Sequence, residues 1–339
     1  MSALLEVRDL RTSFRTDDGN VQAVDGVSFA VERGKTLGIV GESGSGKSVT
    51  MLTVMGLNDR RKATSTGSVL LDGEEILGLQ GDELRHIRGQ RLAMIFQDPM
   101  TSLNPVKRIG WQLAEAVLVH QDVTKAAARA RALELLEAVG IPNAAQRIDD
   151  YPHQFSGGMR QRVMIAMALV NDPEVLIADE PTTALDVTTQ AQILRVMAGL
   201  QERFNMAIVM ITHDLGVIAE IADDVVVMYA GKVVEHASVD DLFEAPQHPY
   251  TWGLLGSLPR LHEGEERLYQ IPGQPPSLLR PPPGCAFHPR CAHAMERCQV
   301  EIPELSTLNA EHEFRCFLDG ETRAARWAEQ RAGFHVGAL

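Results

Sequence analysis

Long apolar runs are missing from this sequence. None approaches the ~18 consecutive apolar residues that a membrane-spanning helix needs. The longest, Ala207–Ile211 and Val225–Ala230, have the length of buried strands. The first ten residues alternate and carry Glu6, Arg8 and Asp9, unlike a secretory signal. The chain is therefore expected to be soluble by itself and cytoplasmic, held at a membrane only through partners. Positive charge is also short. The 32 Lys and Arg face 45 Asp and Glu, for a formal net charge of −13. A nucleic-acid-binding surface needs a basic stripe, so no nucleic-acid partner is expected. Cysteine is absent until Cys285, and the four present fall in the last fifth of the chain: Cys285, Cys291, Cys298 and Cys316. Disulfides are not expected in a cytosolic protein. Such clustering suggests a metal site.

What is present suffices for a sizeable core. The 339 residues are 45% hydrophobic and 23% charged, ordinary values for a globular protein. Length alone gives about two domains at ~150 residues each. Leu4–Leu10 and Val24–Val31 alternate as half-buried strands do. Thr36–Val40, Leu92–Phe96, Val175–Ala178, Ala207–Ile211 and Val225–Tyr229 read as buried strands. Val69–Leu71 and the turn Asp72–Gly73 predict a further small sheet element. Helical spacing is expected over Ser48–Leu57, and from about 105 to 170, including Ala126–Val139 and Val163–Val170. Strands alternating with helices predict an α/β fold with a mostly parallel sheet. Prolines punctuate the chain after about residue 245. Long regular elements are not expected there, and the region from about 251 reads as a separate appendage.

One loop carries the strongest chemistry. Gly41-Glu42-Ser43-Gly44-Ser45-Gly46-Lys47-Ser48 fits G-x-x-x-x-G-K-[ST]. Glycines let backbone N–H groups wrap phosphates closely. Lys47 brings a positive charge to the β- and γ-phosphates, and Ser48 a hydroxyl to Mg²⁺. The helix that follows, from Val49, points its positive N-terminus at the same phosphates. A second element is Val175-Leu176-Ile177-Ala178-Asp179-Glu180, an apolar strand that delivers two carboxylates at its C-terminal end. Ligands sit at that end in open α/β sheets. Asp179 can hold Mg²⁺, and Glu180 is placed to polarise an attacking water.

Phe155-Ser156-Gly157-Gly158-Met159-Arg160-Gln161-Arg162, shortly before the Asp-Glu strand, resembles the signature motif of ABC ATPases. Met159 stands where glutamine is commoner. The resemblance implies a head-to-tail dimer in which Ser156, Gly157 and Gly158 close over nucleotide held by the other subunit. Smaller matches follow in order. Gln97 resembles the Q-loop glutamine that senses Mg²⁺ and water, Ala184-Leu185-Asp186 the D-loop, and His213 the switch histidine at the γ-phosphate. Phe14 resembles the aromatic that stacks on adenine. The implied nucleotide-binding set is Phe14, Gly41 to Val49, Gln97, Asp179 and Ser156 to Gly158, with ATP and Mg²⁺ as cofactors. Ser48, Gln97 and Asp179 serve the metal, and Glu180, His213 and Gln97 are catalytic. The implied fold is an ABC-type P-loop NTPase: a RecA-like α/β core, an antiparallel β subdomain and a helical subdomain at about 105–170. The ATPase domain would span 1–250.

Within that family, Phe96-Gln97-Asp98-Pro99-Met100-Thr101-Ser102-Leu103-Asn104-Pro105 resembles the Q-loop region of dipeptide and oligopeptide importer ATPases. Tyr151-Pro152-His153-Gln154-Phe155 and His248-Pro249-Tyr250-Thr251 are similar to the same group. So is the proline-rich run Pro281–Pro283 ahead of the cysteines. The resemblance implies peptide uptake, with related importers carrying nickel complexes or glutathione. Its implied partners are two integral membrane permease subunits, a second ATPase subunit (a heterodimer being preferred) and an extracytoplasmic solute-binding protein. The place is the cytoplasmic face of a bacterial inner membrane. Pro99–Trp111 would meet a coupling helix of the permease.

The spacing Cys285-x5-Cys291-x6-Cys298-x17-Cys316 lacks the tight C-x₂₋₄-C pairs usual at structural zinc sites. Four thiolates also suit an iron–sulfur cluster. The resemblance favours a [4Fe–4S] cluster on these four residues within a small metal-bound appendage at 251–339; zinc stays the alternative. A soluble ABC ATPase of DNA repair or translation is the rival class. It would carry a coiled-coil insertion or a second cassette, neither of which is visible.

Overall fold

Short apolar runs bounded by turn residues become buried strands in the computed structural model, which describes residues 3–97, 102–183, 185–258, 269–309 and 311–334. The chain divides into two compact units. One comprises Met1–Leu5, Ala30–Thr36 and Leu70–Ile211; the other comprises Glu6–Phe29, Leu37–Val69 and Thr212–Leu339.

In the first unit, β6 (Leu92–Ile95), β7 (Val175–Asp179) and β8 (Ala207–Thr212) form a parallel array, Leu92 opposite Val175 and Val175 opposite Ala207. Every residue of β7 and β8 is buried. That is why they read as unbroken apolar runs rather than alternating ones. Helices α3 (Ile109–His120), α4 (Lys125–Ala138) and α6 (Gly157–Leu169) pack on one another. Ala128 and Ala132 are fully buried between them, small enough to let the helix axes approach. Thr124 caps α4 by accepting from Ala127 N–H at 3.2 Å. A short helix, α5 (Ala144–Arg147), links α4 to α6. These helices, with turns and coil between them, lie within the stretch of about 105–170 where helical spacing is expected. The turn Asp72–Gly73, both with positive φ, joins the end of β4 (Ala63–Leu71) to β5 (Glu74–Glu75), as two-residue hairpins require.

Some of the first unit was not foreseen. A helix α2 covers Gly81–Ile87, and the longest helix among the described residues, α7, runs Val187–Phe204. Asp186 caps α7 through Thr189 N–H at 2.9 Å, and Ile193, Leu194, Met197 and Leu200 form its buried stripe.

In the second unit, β1 (Leu5–Thr16) lies between β2 (Gly19–Val31) and β4 in one sheet. β3 (Thr36–Val40) runs parallel to β9 (Asp224–Tyr229). β10 (Lys232–Ser238) turns back on β9 through Ala230 and Gly231, both at positive φ. β12 (His312–Phe314) pairs antiparallel with β10, and β11 (Ser306–Asn309) with β12. The cysteine-bearing region is thereby built onto the strands that follow the P-loop. A buried carboxylate pins it. Glu235, fully buried on β10, accepts from His248 N–H (2.9 Å), Thr251 Oγ1 (2.6 Å), His312 Nε2 (2.8 Å) and Gln247 N–H (2.5 Å). Four donors satisfy a group that would otherwise be costly to bury.

The expectation of no long regular element after residue 245 is corrected here. Besides α8 (Leu215–Ile221), which precedes β9, and α9 (Val239–Glu244) and α10 (Pro249–Gly256), a 15-residue helix α11 spans Gly320–Phe334. Pro249 occupies the first helical position of α10, where its missing N–H costs nothing. The prolines therefore punctuate only part of the region. The helix α1 (Lys47–Val54) is shorter than the expected Ser48–Leu57, because Gly56 with φ 63° ends it. No described helix is long and apolar enough to cross a membrane.

Candidate nucleotide site

The loop Gly41–Gly46 connects β3 to α1, as the motif demands. Two glycines in it are steric necessities. A Cβ on Gly41 would stand 2.2 Å from Met228 O, and one on Gly46, at φ 102°, would stand 2.5 Å from Ala23 O. The loop is thus pressed against β9 and β2, which fixes its curve. Lys47 is buried, and its ammonium donates to Gly41 O at 2.6 Å and Glu42 O at 2.9 Å. Thr50 Oγ1 donates to Gly46 O at 2.9 Å in the first turn of α1. Ser43 and Gly44 are exposed, Ser45 is buried, and Ser48 and Val49 are half-buried at the head of α1. In the same unit, Phe14 is half-buried on β1, and His213 is exposed just beyond β8.

The first unit holds Gln97, Asp179 and Glu180. Asp179 is buried at the C-terminal end of β7. Glu180 follows at φ 48°, a left-handed conformation that costs a non-glycine residue of order 1–3 kcal/mol. Its N–H donates to Ile211 O at 2.9 Å, so the neighbouring β8 helps hold that geometry. Two donors converge on its Oε2: Gln97 Nε2 at 3.0 Å and Thr183 Oγ1 at 2.8 Å. A carboxylate fixed by two hydrogen bonds on a strained strand end is oriented rather than freely rotating. Thr183 was not among the sequence-derived residues. Its position three residues after Glu180 on a Pro-Thr-Thr turn is the signal that points to it.

Ser156 caps α6, its hydroxyl accepting from Met159 N–H at 3.4 Å, and Ser156 and Gly157 are exposed. The N-terminus of a 13-residue helix is thereby open to an anion. A Cβ on Gly158 would meet Thr189 Cγ2 at 2.8 Å, so α6 and the start of α7 lie close together. Of the remaining expectations, Asp98 to Thr101 and Ala184 lie outside the described residues.

The four cysteines line one small cavity, together with His248, His288 and Arg315 among others. All are free thiols. Burial pushes Cys291 up to about 12 and Cys316 up to about 11, with mutual proximity adding to both; burial also raises Cys285. Among the described residues no three His, Cys, Asp or Glu side chains converge on the geometry of a single bound ion.

Comparison with known proteins agrees with this arrangement. Residues 24–183 match the ABC transporter family, and residues 234–298 match the oligopeptide/dipeptide transporter C-terminal region. The chain is 54% identical over 316 residues to the dipeptide transport ATP-binding protein DppD of Lactococcus lactis subsp. cremoris, covering 93% of this chain and 90% of that protein. It is 54% identical over 301 residues to the oligopeptide transport ATP-binding protein OppD of Escherichia coli K12, covering 89% of each. Among solved structures, the dimeric post-hydrolysis state of the ATP-binding cassette MJ0796, bound to ADP and Pi, superposes with a TM-score of 0.62 at 27% identity. It covers 69% of this chain and 98% of that one.

Proposed function

Because this chain belongs to the ABC transporter ATPases, in the group of the dipeptide and oligopeptide transport ATP-binding proteins, we propose that it hydrolyses ATP to ADP and phosphate to drive uptake of dipeptides or oligopeptides. The observation that carries the cargo class is the likeness to peptide transporters over 93% of the chain, the C-terminal region included. In this reading Lys47 and the loop N–H groups hold the phosphates, and Ser48, Asp179 and Gln97 serve Mg²⁺. Glu180 polarises the attacking water. His213 and the signature residues Ser156, Gly157 and Gly158 of a second ATPase subunit stabilise charge developing on the γ-phosphate. Phe14 stacks on adenine.

The work is delivered to permease subunits. Phe96, Val106 and Trp111 are exposed apolar residues on the Q-loop side of the helical region, Val106 at 74% exposure. Exposed apolar side chains on this segment support docking of the permease here. A tagged chain drawn from detergent-solubilised membranes should bring two multi-span permease subunits and a second ATPase with it. Recovery of soluble partners alone would overturn the transport reading and leave the ATP chemistry standing.

The cysteine residues support a bound metal group by chemistry rather than by ready-made geometry. Four soft thiols around one cavity suit iron–sulfur ligation, with zinc the alternative. Burial penalises the thiolates, and a bound cation reverses that penalty. Such a group would staple together a region with little core of its own. Protein purified without oxygen should absorb broadly near ~400 nm and lose that absorption in Cys291→Ser. A colourless protein with stoichiometric zinc would reassign the group.

A further inference from the structure

The turn that carries Cys285 and Cys291 also reaches the P-loop. It is wound tightly, with His288 N–H donating to Cys285 O at 2.9 Å and Arg290 N–H to Phe287 O at 3.0 Å. Two of its side chains, Phe287 and Arg290, reach Tyr229 on β9. Phe287 is buried against Tyr229 and Tyr250, ring centroids 5.3 and 5.4 Å away. The hydroxyl of Tyr250 accepts the N–H of Glu42 at 2.8 Å. Arg290, its side chain 4% exposed, grips the carboxylate of Glu42 with both terminal nitrogens, at 2.6 and 2.9 Å. Its Nε donates to Pro272 O at 2.9 Å, and Nη1 to Tyr229 Oη at 3.3 Å. That fork raises the already high Arg290 pKa further, the Glu42 hydrogen bond being the main cause.

Glu42 lies inside the phosphate-binding loop, and its own carbonyl receives Lys47 Nζ at 2.9 Å. A carboxylate there would repel phosphates, and a loose one would let the loop wander. A buried guanidinium in a planar fork neutralises the charge and fixes its direction together. We propose that Arg290 is a positioning residue for ATP binding: it holds Glu42, and with it the P-loop, in the phosphate-accepting shape, making the cysteine-bearing turn part of the nucleotide apparatus. This rests on the reading of Gly41–Ser48 as the ATP site and is independent of what the thiols bind.

The test is the affinity of the full-length chain for MgATP, by calorimetry, in Arg290→Gln, Glu42→Gln and the double variant. Arg290→Gln should weaken binding about tenfold or more, since it leaves an unpaired carboxylate beside the phosphates. Adding Glu42→Gln removes that charge and should recover most of the loss. Saturated turnover should change far less than KM. An anchoring role alone predicts a lower Tm with no recovery in affinity. Arg290→Gln within about twofold of wild type, or a double variant as weak as the single, would overturn the proposal. If Arg290→Gln does not fold, Arg290→Lys keeps the charge without the fork. It should bind about threefold or more weakly, and unchanged affinity there overturns the proposal equally. A wild-type chain that binds no ATP would strike the nucleotide reading itself.

Discussion

Glu180→Gln should lower ATP turnover by about 10²- to 10⁴-fold, the span expected for loss of a general base, and leave ATP binding within about twofold. Glutamine preserves the size of the side chain, and Gln97 and Thr183 can still donate to its amide oxygen. The left-handed backbone at residue 180 is held by the N–H bond to Ile211 O, which the substitution does not touch. The change therefore removes one capacity, acceptance of a proton from water. Phosphate release at saturating ATP and equilibrium binding, measured on one preparation, separate the two effects. Turnover within about fivefold of wild type would remove Glu180 as the base. A collapse of binding would place it among the binding groups instead.

The residues that were legible are those whose chemistry dictates spacing. Gly41 and Gly46 could be read from a motif because a Cβ at either position would strike backbone oxygen. Asp179 and Glu180 could be read because β7 is buried on both faces, leaving an apolar run with acids at its end. The bounds of β3, β6, β7, β8 and β9 came within a residue for the same reason, whereas β1, β2 and β4 run five or six residues beyond the expected stretches, because their exposed ends carry no apolar signal. The helix α7 was within reach, since Asp186 is an N-cap and Ile193, Leu194, Met197 and Leu200 keep helical spacing. Reading strands alone passes over it. The contacts that could not be read are those made across long sequence separations. Nothing local in Glu42 announces Arg290, 248 positions away. Nothing local in Glu235 announces that His312 and Thr251 will satisfy it in a buried site. The C-terminal helix α11 has the opposite cause. The prolines end by Pro303, and beyond them a polar, alanine- and arginine-rich stretch is free to be helical, with Trp327 on the buried side.

Lys47→Ala should raise the Kd for ATP at least ~100-fold, equivalent to about 2.8 kcal/mol. The size follows from what one ammonium does. Hydrogen bonds to charged groups contribute about 1.5–3 kcal/mol each, and Lys47 is placed to meet both the β- and γ-phosphates. Its ammonium is already steered by Gly41 O and Glu42 O, so little ordering remains to oppose binding. The fold should tolerate the change. Alanine keeps the first turn of α1, where Thr50 still bonds Gly46 O, and water can replace the ammonium at two loop carbonyls. Dialysis against labelled ATP, with a thermal melt as control, would show lost affinity at near-constant Tm. Set beside Glu180→Gln, the pair divides the reaction: one variant cannot take up ATP, the other takes it up and cannot split it. If Lys47→Ala bound ATP like wild type, the loop would be a structural turn, and the phosphates would have to be held elsewhere.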